Sequence, residues 1–348
     1  MKKVLAITLV LILALTVFAA CGNNDPAPPP VTGNGDENGA DPGPVTPEFT
    51  IRFAHIENEF TAAAQGVRVF ERLVNEYSNG RIQVVVHGAG ALGDEREILE
   101  AVIMNQLEGG MVMSSLFSAY LPNWDICDFP FAFRDRDDWA AKIDGEMGQI
   151  LKEETLSIGI RVVNFFDGGF RSIANNRGPL NSMADFGGLI TRVGQSPLLL
   201  ETHRALGTSP VPMAFGEIYT ALQLGTIDAV ETAVIYIVDG NFQEVTDYVT
   251  LTHTTALQMV TFVSLDFYNS LPADLQEAID RAAARTVIEQ RQLAIEADEM
   301  AFEAIRAAGV EIQVPSDAFM QEMMEATRSV VEDFRDRVDP RLLELAGF

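Results

Sequence analysis

The positions of apolar side chains divide the chain into strand-like and helix-like stretches. Phe49 to His55 (FTIRFAH) alternates as a half-buried strand does, and Thr61 to Tyr77 follows with Val67, Phe70, Leu73 and Val74 at helical spacing. Ser78-Asn79-Gly80 reads as a turn, and Arg81 to His87 as a second strand rich in β-branched residues. Asp94 opens a helix predicted to run to about Gln106, and Met111-Val112-Met113 is a short buried strand. Strands and helices alternating at this spacing predict βαβ units and a largely parallel sheet.

A second α/β region starts near Arg161. Strands are predicted at Arg161 to Phe165, Gly169 to Asn175, Gly188 to Val193 and Ser209 to Met213, with helices at Ser196 to Leu206 and Ala214 to Leu224. Ala229 to Thr232 ends a further βα unit. Thr254 to Leu265 alternates again, and Pro272 to Ala308 forms one long amphipathic helix. Nothing repeats at a fixed period, which excludes solenoids and propellers. The expectation is two α/β lobes with several chain crossings between them.

The two ends of the first fifty residues change the picture of where this fold works. Residues 1–20 (MKKVLAITLVLILALTVFAA) place two lysines before an apolar run and small residues, the plan of an export signal. The run is also nearly long enough to span a bilayer, so an uncleaved anchor is the alternative. Ala19-Ala20-Cys21 resembles the lipobox of bacterial lipoproteins, in which the Cys is lipidated; Phe18 stands where that pattern prefers Leu. Residues 22–47 are rich in Pro and Gly and hold no aromatic residue, Lys or Arg, the composition of a disordered tether. Both readings of the N-terminus predict an extracytoplasmic protein attached to a membrane. Cys127, the other cysteine, sits among Ile126, Phe129 and Phe131 and reads as a buried small hydrophobe.

Fifty acidic against 24 basic side chains give a formal net charge of −26, which excludes nucleic acid as a partner. Gly88-Ala89-Gly90-Ala91-Leu92-Gly93 matches the dinucleotide pattern G-x-G-x-x-G, but Asp94 and Glu95 at the helix start would repel a pyrophosphate. The four histidines are far apart, so no metal site is expected, and no nucleophile–base set or cofactor motif argues for an enzyme. Arg171 and Arg192 lie at the ends of predicted strands in runs otherwise poor in charge. Each is either half of an internal ion pair or a guanidinium fork offered to a ligand carboxylate.

Ser209 to Gln223 (SPVPMAFGEIYTALQ), continued by Gly225 to Glu231 and Phe242 to Val245, resembles the signature of solute-binding proteins of tripartite ATP-independent periplasmic (TRAP) transporters, the DctP type. Leu92 to Glu97, Asp128 to Phe133 and Asp167 to Arg171 fit the same family, and the resemblance spans residues 50 to about 335. It implies the two-lobe periplasmic-binding-protein (Venus-flytrap) fold with a hinge and a long helix spanning both lobes. Lobe 1 would comprise 48–168 plus about 258–297, and lobe 2 169–257 plus about 298–348. It further implies that Arg192 clamps a ligand carboxylate, with Arg171 and Gln195 near that group. Phe215 would pack on the ligand, Thr232 stands where many members carry Asn, and Glu95 and Ser114 would contact the distal part. Gly194 and Ala229 also depart from the family pattern, in place of Pro and Gly. The implied partners are a small organic acid and the ion-gradient-driven permease subunits in the membrane, with no cofactor. A binding protein of an ATP-driven importer, the ligand sensor of a receptor, and a secreted enzyme are the alternatives.

Overall fold

The computed structural model describes residues 46–348. The export segment, Cys21 and nearly all of the Pro/Gly-rich segment lie outside the described residues.

The first strand, β1 (Phe49–Ala54), and the second, β2 (Ile82–His87), stand where alternation predicts them and pair in parallel. Between them α1 (Ala62–Tyr77) starts at Thr61, whose hydroxyl accepts from the Ala64 N–H, and buries Val67, Phe70, Leu73 and Val74. The next helix, α2 (Glu95–Ile103), has a capping box of Asp94 and Glu97, and β3 (Gly109–Met113) returns beside β1. That helix ends three residues earlier than predicted. Short 3-10 turns and helices α3 (Arg136–Asp144) and α4 (Glu146–Thr155) follow, a stretch in which only the burial of Cys127 was anticipated.

One correction concerns Arg161 to Asn175. The sequence predicts two strands here, but the chain makes a single 16-residue strand, β4 (Ile160–Asn175). The predicted gap between Phe165 and Gly169 is closed, and the irregularity that remains is a bulge at Gly168-Gly169. Gly169 takes φ +84°, and a Cβ on Gly168 would stand 2.8 Å from the Leu257 carbonyl oxygen. Residues up to Phe170 pair antiparallel with the later strand β9 (Ala256–Ser264), and Arg171–Asn175 pair antiparallel with β7 (Ala229–Ala233). One strand therefore serves both lobes.

Beyond β4, β5 (Ile190–Val193) leads into α5 (Pro197–Leu206), capped by Ser196, and β6 (Ser209–Pro212) lies beside β5 at the sheet edge, where its prolines cost no ladder bond. The predicted helix from Ala214 is a 3-10 turn followed by α6 (Ile218–Gln223). After β7 come α7 (Val234–Asp239) and β8 (Tyr248–Thr250). The strand order is β2-β1-β3-β9-β4-β7-β5-β6, with β8 paired to β4 and joined by β10 (Glu311–Gln313). The sheet is thus parallel at its two flanks, as predicted, and antiparallel through the crossing strands β9 and β4 at its centre.

After the short α8 (Leu265–Ser270), α9 (Ala273–Ala307) runs about 52 Å at 1.5 Å per residue. Leu275, Ile279 and Ala282 lie in the core beneath β1 and β2, whereas Ile305 lies with Val230 and Val249 of the second lobe. Gln290, midway, holds β4 from both sides of one residue: its amide donates to the Asp167 carbonyl (2.8 Å) and accepts from the Asp167 N–H (2.9 Å). Arg136 ties Asp167 to Asp298 at 2.6 Å each. The chain ends in α10 (Asp317–Ala326), α11 (Arg328–Phe334) and α12 (Pro340–Ala346); Val330, Val331, Leu342 and Leu343 share a core with Trp124, Phe129 and Leu151.

Candidate functional site

Parallel strands leave the sheet at their carboxyl ends with unpaired backbone and a change of direction, and open α/β sheets place ligand crevices there. Both lobes direct such ends at one cleft. Ile56 and Glu57 follow β1, the glycine loop and Glu95 follow β2, and Met113 ends β3. Across from them Arg192 and Gln195 lie at the end of β5, Met213 to Phe215 follow β6, Thr232 lies at the end of β7, and Tyr236 lies in α7. The cleft has an outer compartment of about 410 Å³ and an inner chamber of about 30 Å³. Glu95, Met113, Arg192 and Phe215 line both.

The two arginines differ. Arg171 is 1% exposed, and its Nη1 donates to Glu231 Oε2 at 2.9 Å. The β4–β7 register explains the pair: Arg171 lies opposite Ala233 and Ile173 opposite Glu231, so the two side chains are diagonal neighbours on one face. The internal ion pair that the sequence left open is therefore present for Arg171. Arg192 is also buried, but makes no ion pair among the described residues. Its Nε and Nη2 both donate to the Met213 carbonyl oxygen, at 2.9 and 2.8 Å. This acceptor orients the fork without neutralising it. Burial, and secondarily Arg171, bring the Arg192 pKa down to about 10, so the site holds a desolvated cation that an incoming anion would stabilise.

Carboxyl groups face these cations. Glu95 accepts from the Met113 N–H at 2.7 Å, and burial together with Glu57 lifts its pKa to about 7. Glu231 is raised by burial against the opposing pull of Arg171 and Arg192. Deeper in, Glu57 lies 3.3 Å from His55 Nδ1, and Asp239 accepts from the Asn58 amide at 2.8 Å with its pKa raised by burial to about 6.

Of the residues expected from the sequence, Arg171, Arg192, Gln195, Phe215, Thr232 and Glu95 come together on the cleft walls. Ser114 does not: it is 1% exposed and lines neither compartment, while its neighbour Met113 lines both. The dinucleotide-like loop has a different use. Ala89, Gly90 and Gly93 line the outer compartment, with Gly90 at φ +68° and Gly93 at φ +116°, so bare backbone forms that wall. Sequence reasoning missed the Met213 carbonyl, Tyr236, Glu57 and Asp239. The first lies inside the family signature and could have been suspected there. Glu57 and Asp239 carry no local signal in so acidic a chain.

The profile of the DctP family, described as bacterial extracellular solute-binding protein, family 7, matches residues 53–337. The C4-dicarboxylate-binding periplasmic protein DctP of Rhodobacter capsulatus is 30% identical over 265 residues, covering 75% of this chain and 78% of that protein. The 2,3-diketo-L-gulonate-binding periplasmic protein YiaO of Escherichia coli is 27% identical over 263 residues, covering 76% and 80%. Among solved structures, the sugar acid binding protein of Advenella mimigardefordensis in complex with galactonate superimposes with a TM-score of 0.82 at 26% identity, covering 85% of this chain and 96% of that one. A TRAP periplasmic solute binding protein of Shewanella oneidensis with bound succinate gives 0.82 at 27% identity, covering 86% and 98%.

Proposed function

The chain belongs to the DctP family of bacterial extracellular solute-binding proteins, family 7, and from that premise we propose that it captures a small organic carboxylate between its lobes for a TRAP-type transporter. The observation that carries this reading is Arg192: a buried guanidinium at a cleft-facing strand end, oriented by a backbone carbonyl and without an ion-pair partner among the described residues. A planar fork of this kind binds a carboxylate through two parallel hydrogen bonds. Related proteins with 2,3-diketo-L-gulonate, C4-dicarboxylates, galactonate or succinate in their names or complexes support the same ligand class.

Binding then acts as a conformational signal. A ligand touched by both walls favours the closed arrangement, because only there are both sets of contacts made. Residues 48–168 with about 258–297 move against 169–257 with the chain from about 298 onward, except that α12 goes with the first group, because Leu342 and Leu343 share a core with Trp124, Phe129 and Leu151; the Gly168-Gly169 bulge of β4 is the hinge. The closed, loaded protein docks on the permease subunits in the membrane. Lipidation of Cys21 holds it at the outer face of that membrane, and metabolic labelling with a fatty-acid analogue, lost in Cys21→Ser, tests this part separately.

A thermal-shift screen of organic acids tests the ligand class. A ligand at 100 times its dissociation constant adds about 2.7 kcal/mol of stability. No stabilisation by any organic acid overturns the reading.

A further inference from the structure

A carboxylate on Arg192 accounts for one end of the cleft and leaves the inner chamber unexplained. The apolar walls there are Ile56, Phe215, Leu257 and Met259, and three carboxyl groups, Glu57, Glu95 and Asp239, join Arg171, Arg192, Thr232 and Tyr236 among them. Glu57 is 2% exposed and lines the chamber; its Oε2 lies 3.3 Å from His55 Nδ1 without a well-aligned hydrogen bond among the described residues. Asp239, 3% exposed, has one bond on Oδ1, from Asn58. Glu95 uses Oε1 on the Met113 N–H and keeps Oε2 without a protein donor among the described residues. The Tyr236 hydroxyl also makes no protein hydrogen bond among the described residues.

Within the chamber the cations are already allotted. Arg171 lines it but is paired with Glu231, and Arg192 is the cation left there for a ligand among the described residues; Arg96, exposed on the outer compartment, donates to Gln195 Oε1 at 3.4 Å and does not reach the chamber wall. Once a carboxylate takes Arg192, a second one moving inward would meet Glu57, Glu95 and Asp239 with no further cation to receive it. Like charges at close range in a desolvated site repel strongly. A hydroxyl or amino group in the same place would donate to the free oxygens of those three side chains.

We propose that the ligand sets one carboxylate on Arg192 and an end carrying hydrogen-bond donors, hydroxyl or amino, in the inner chamber, which excludes a second carboxylate. This rests on the carboxylate reading of the cleft and narrows it to a substrate class.

The test is titration calorimetry of the full chain with three matched four-carbon acids, succinate, 4-hydroxybutyrate and 4-aminobutyrate, and with galactonate and glucuronate as polyhydroxy acids. The best donor-bearing monocarboxylate is expected to bind at least tenfold more tightly than succinate, and whether hydroxyl or amino acids lead identifies the donor. Glu57→Gln and Asp239→Asn should each narrow that ratio, since a neutral amide removes the repulsion. Where a variant does not fold, the wild-type ratio still decides. Succinate binding as tightly as the best donor-bearing acid overturns the inference and leaves the carboxylate reading intact, and so does an unchanged ratio in two folded variants. No binding by any of the five overturns the inference, and the thermal-shift screen of organic acids then decides the carboxylate reading on its own.

Discussion

The two walls of the cleft are built alike and charged oppositely. Each is built at the carboxyl ends of parallel strands with a helix starting just behind, yet β5 and the antiparallel β4 present Arg192 and Arg171 while β1 and β2 lead into Glu57 and Glu95. The cationic wall is fixed by the protein itself, Arg171 by Glu231 and Arg192 by the Met213 carbonyl. The acidic wall is less fully bonded, with Glu57 Oε2 met only by His55 Nδ1 at 3.3 Å among the described residues. A wall whose groups are already oriented suits what every ligand of a class shares, here a carboxylate. A wall with unused acceptors suits what distinguishes one ligand from another.

The largest effect should come from breaking the fixed side. Arg171→Ala leaves Glu231 buried without its partner and should cost about 3–5 kcal/mol of stability in chemical denaturation, in addition to binding. A loss under about 1 kcal/mol would show that Glu231 is protonated or solvated in the fold. Arg192→Ala separates the two arginines. It removes no protein ion pair, so stability should change little, while carboxylate affinity measured by calorimetry should fall by about 3–5 kcal/mol, a factor of hundreds to thousands. Near wild-type affinity would transfer the clamp to Arg171.

The acidic side should show itself through pH. Glu95 titrates near 7 in the fold, and an ionised Glu95 repels a bound carboxylate. Affinity should therefore be highest below pH 7 and decline as pH rises through it, by at most about tenfold per unit per proton taken up. Asp239, near 6, acts in the same direction. The stability sign also follows. The folded pKa of Glu95 lies above its unfolded value of 4.5, so the native state binds more protons, and stability declines as pH rises from about 4.5 to 7. Glu95→Gln should flatten both profiles; persistence of the full slope in that variant assigns it to another group.

The smallest effect sharpens the boundary of the site. Gln195→Ala, on the wall of the outer compartment, should weaken binding by roughly 1 kcal/mol, about fivefold, if its amide reaches the ligand. Ser114→Ala should leave affinity unchanged, because its side chain is buried outside the cleft. A larger loss at Ser114 than at Gln195 would reverse the assignment.

Much of this was legible before the fold. The periodicity of β1, α1, β2, α5 and α9 is local, set by side chains that must share one face, so it reads directly from the chain. The signature from Ser209 to Gln223 placed Phe215 beside Arg192 because its prolines end the sheet and bring Met213 and Phe215 to the strand exit. Ser114 fell outside the wall by one position, the reach of a strand that ends at Met113. The continuity of β4 through Gly168-Gly169 was not legible for a different reason. Two glycines ordinarily weaken a strand, but here β9 supplies backbone pairing on both sides of the bulge from nearly a hundred residues away.

The sequence by itself determined the α/β class, the family, the acidic balance and the residue types that could hold an acid. It could do so because periodicity, motif spacing and charge are properties of the chain. Only the tertiary structure decided which arginine is paired, which carboxyl groups are buried, and that Glu57, Glu95 and Asp239 face one chamber. Those outcomes depend on desolvation and on contacts between distant strands. In a chain with 50 acidic residues, nothing local marks the three that matter.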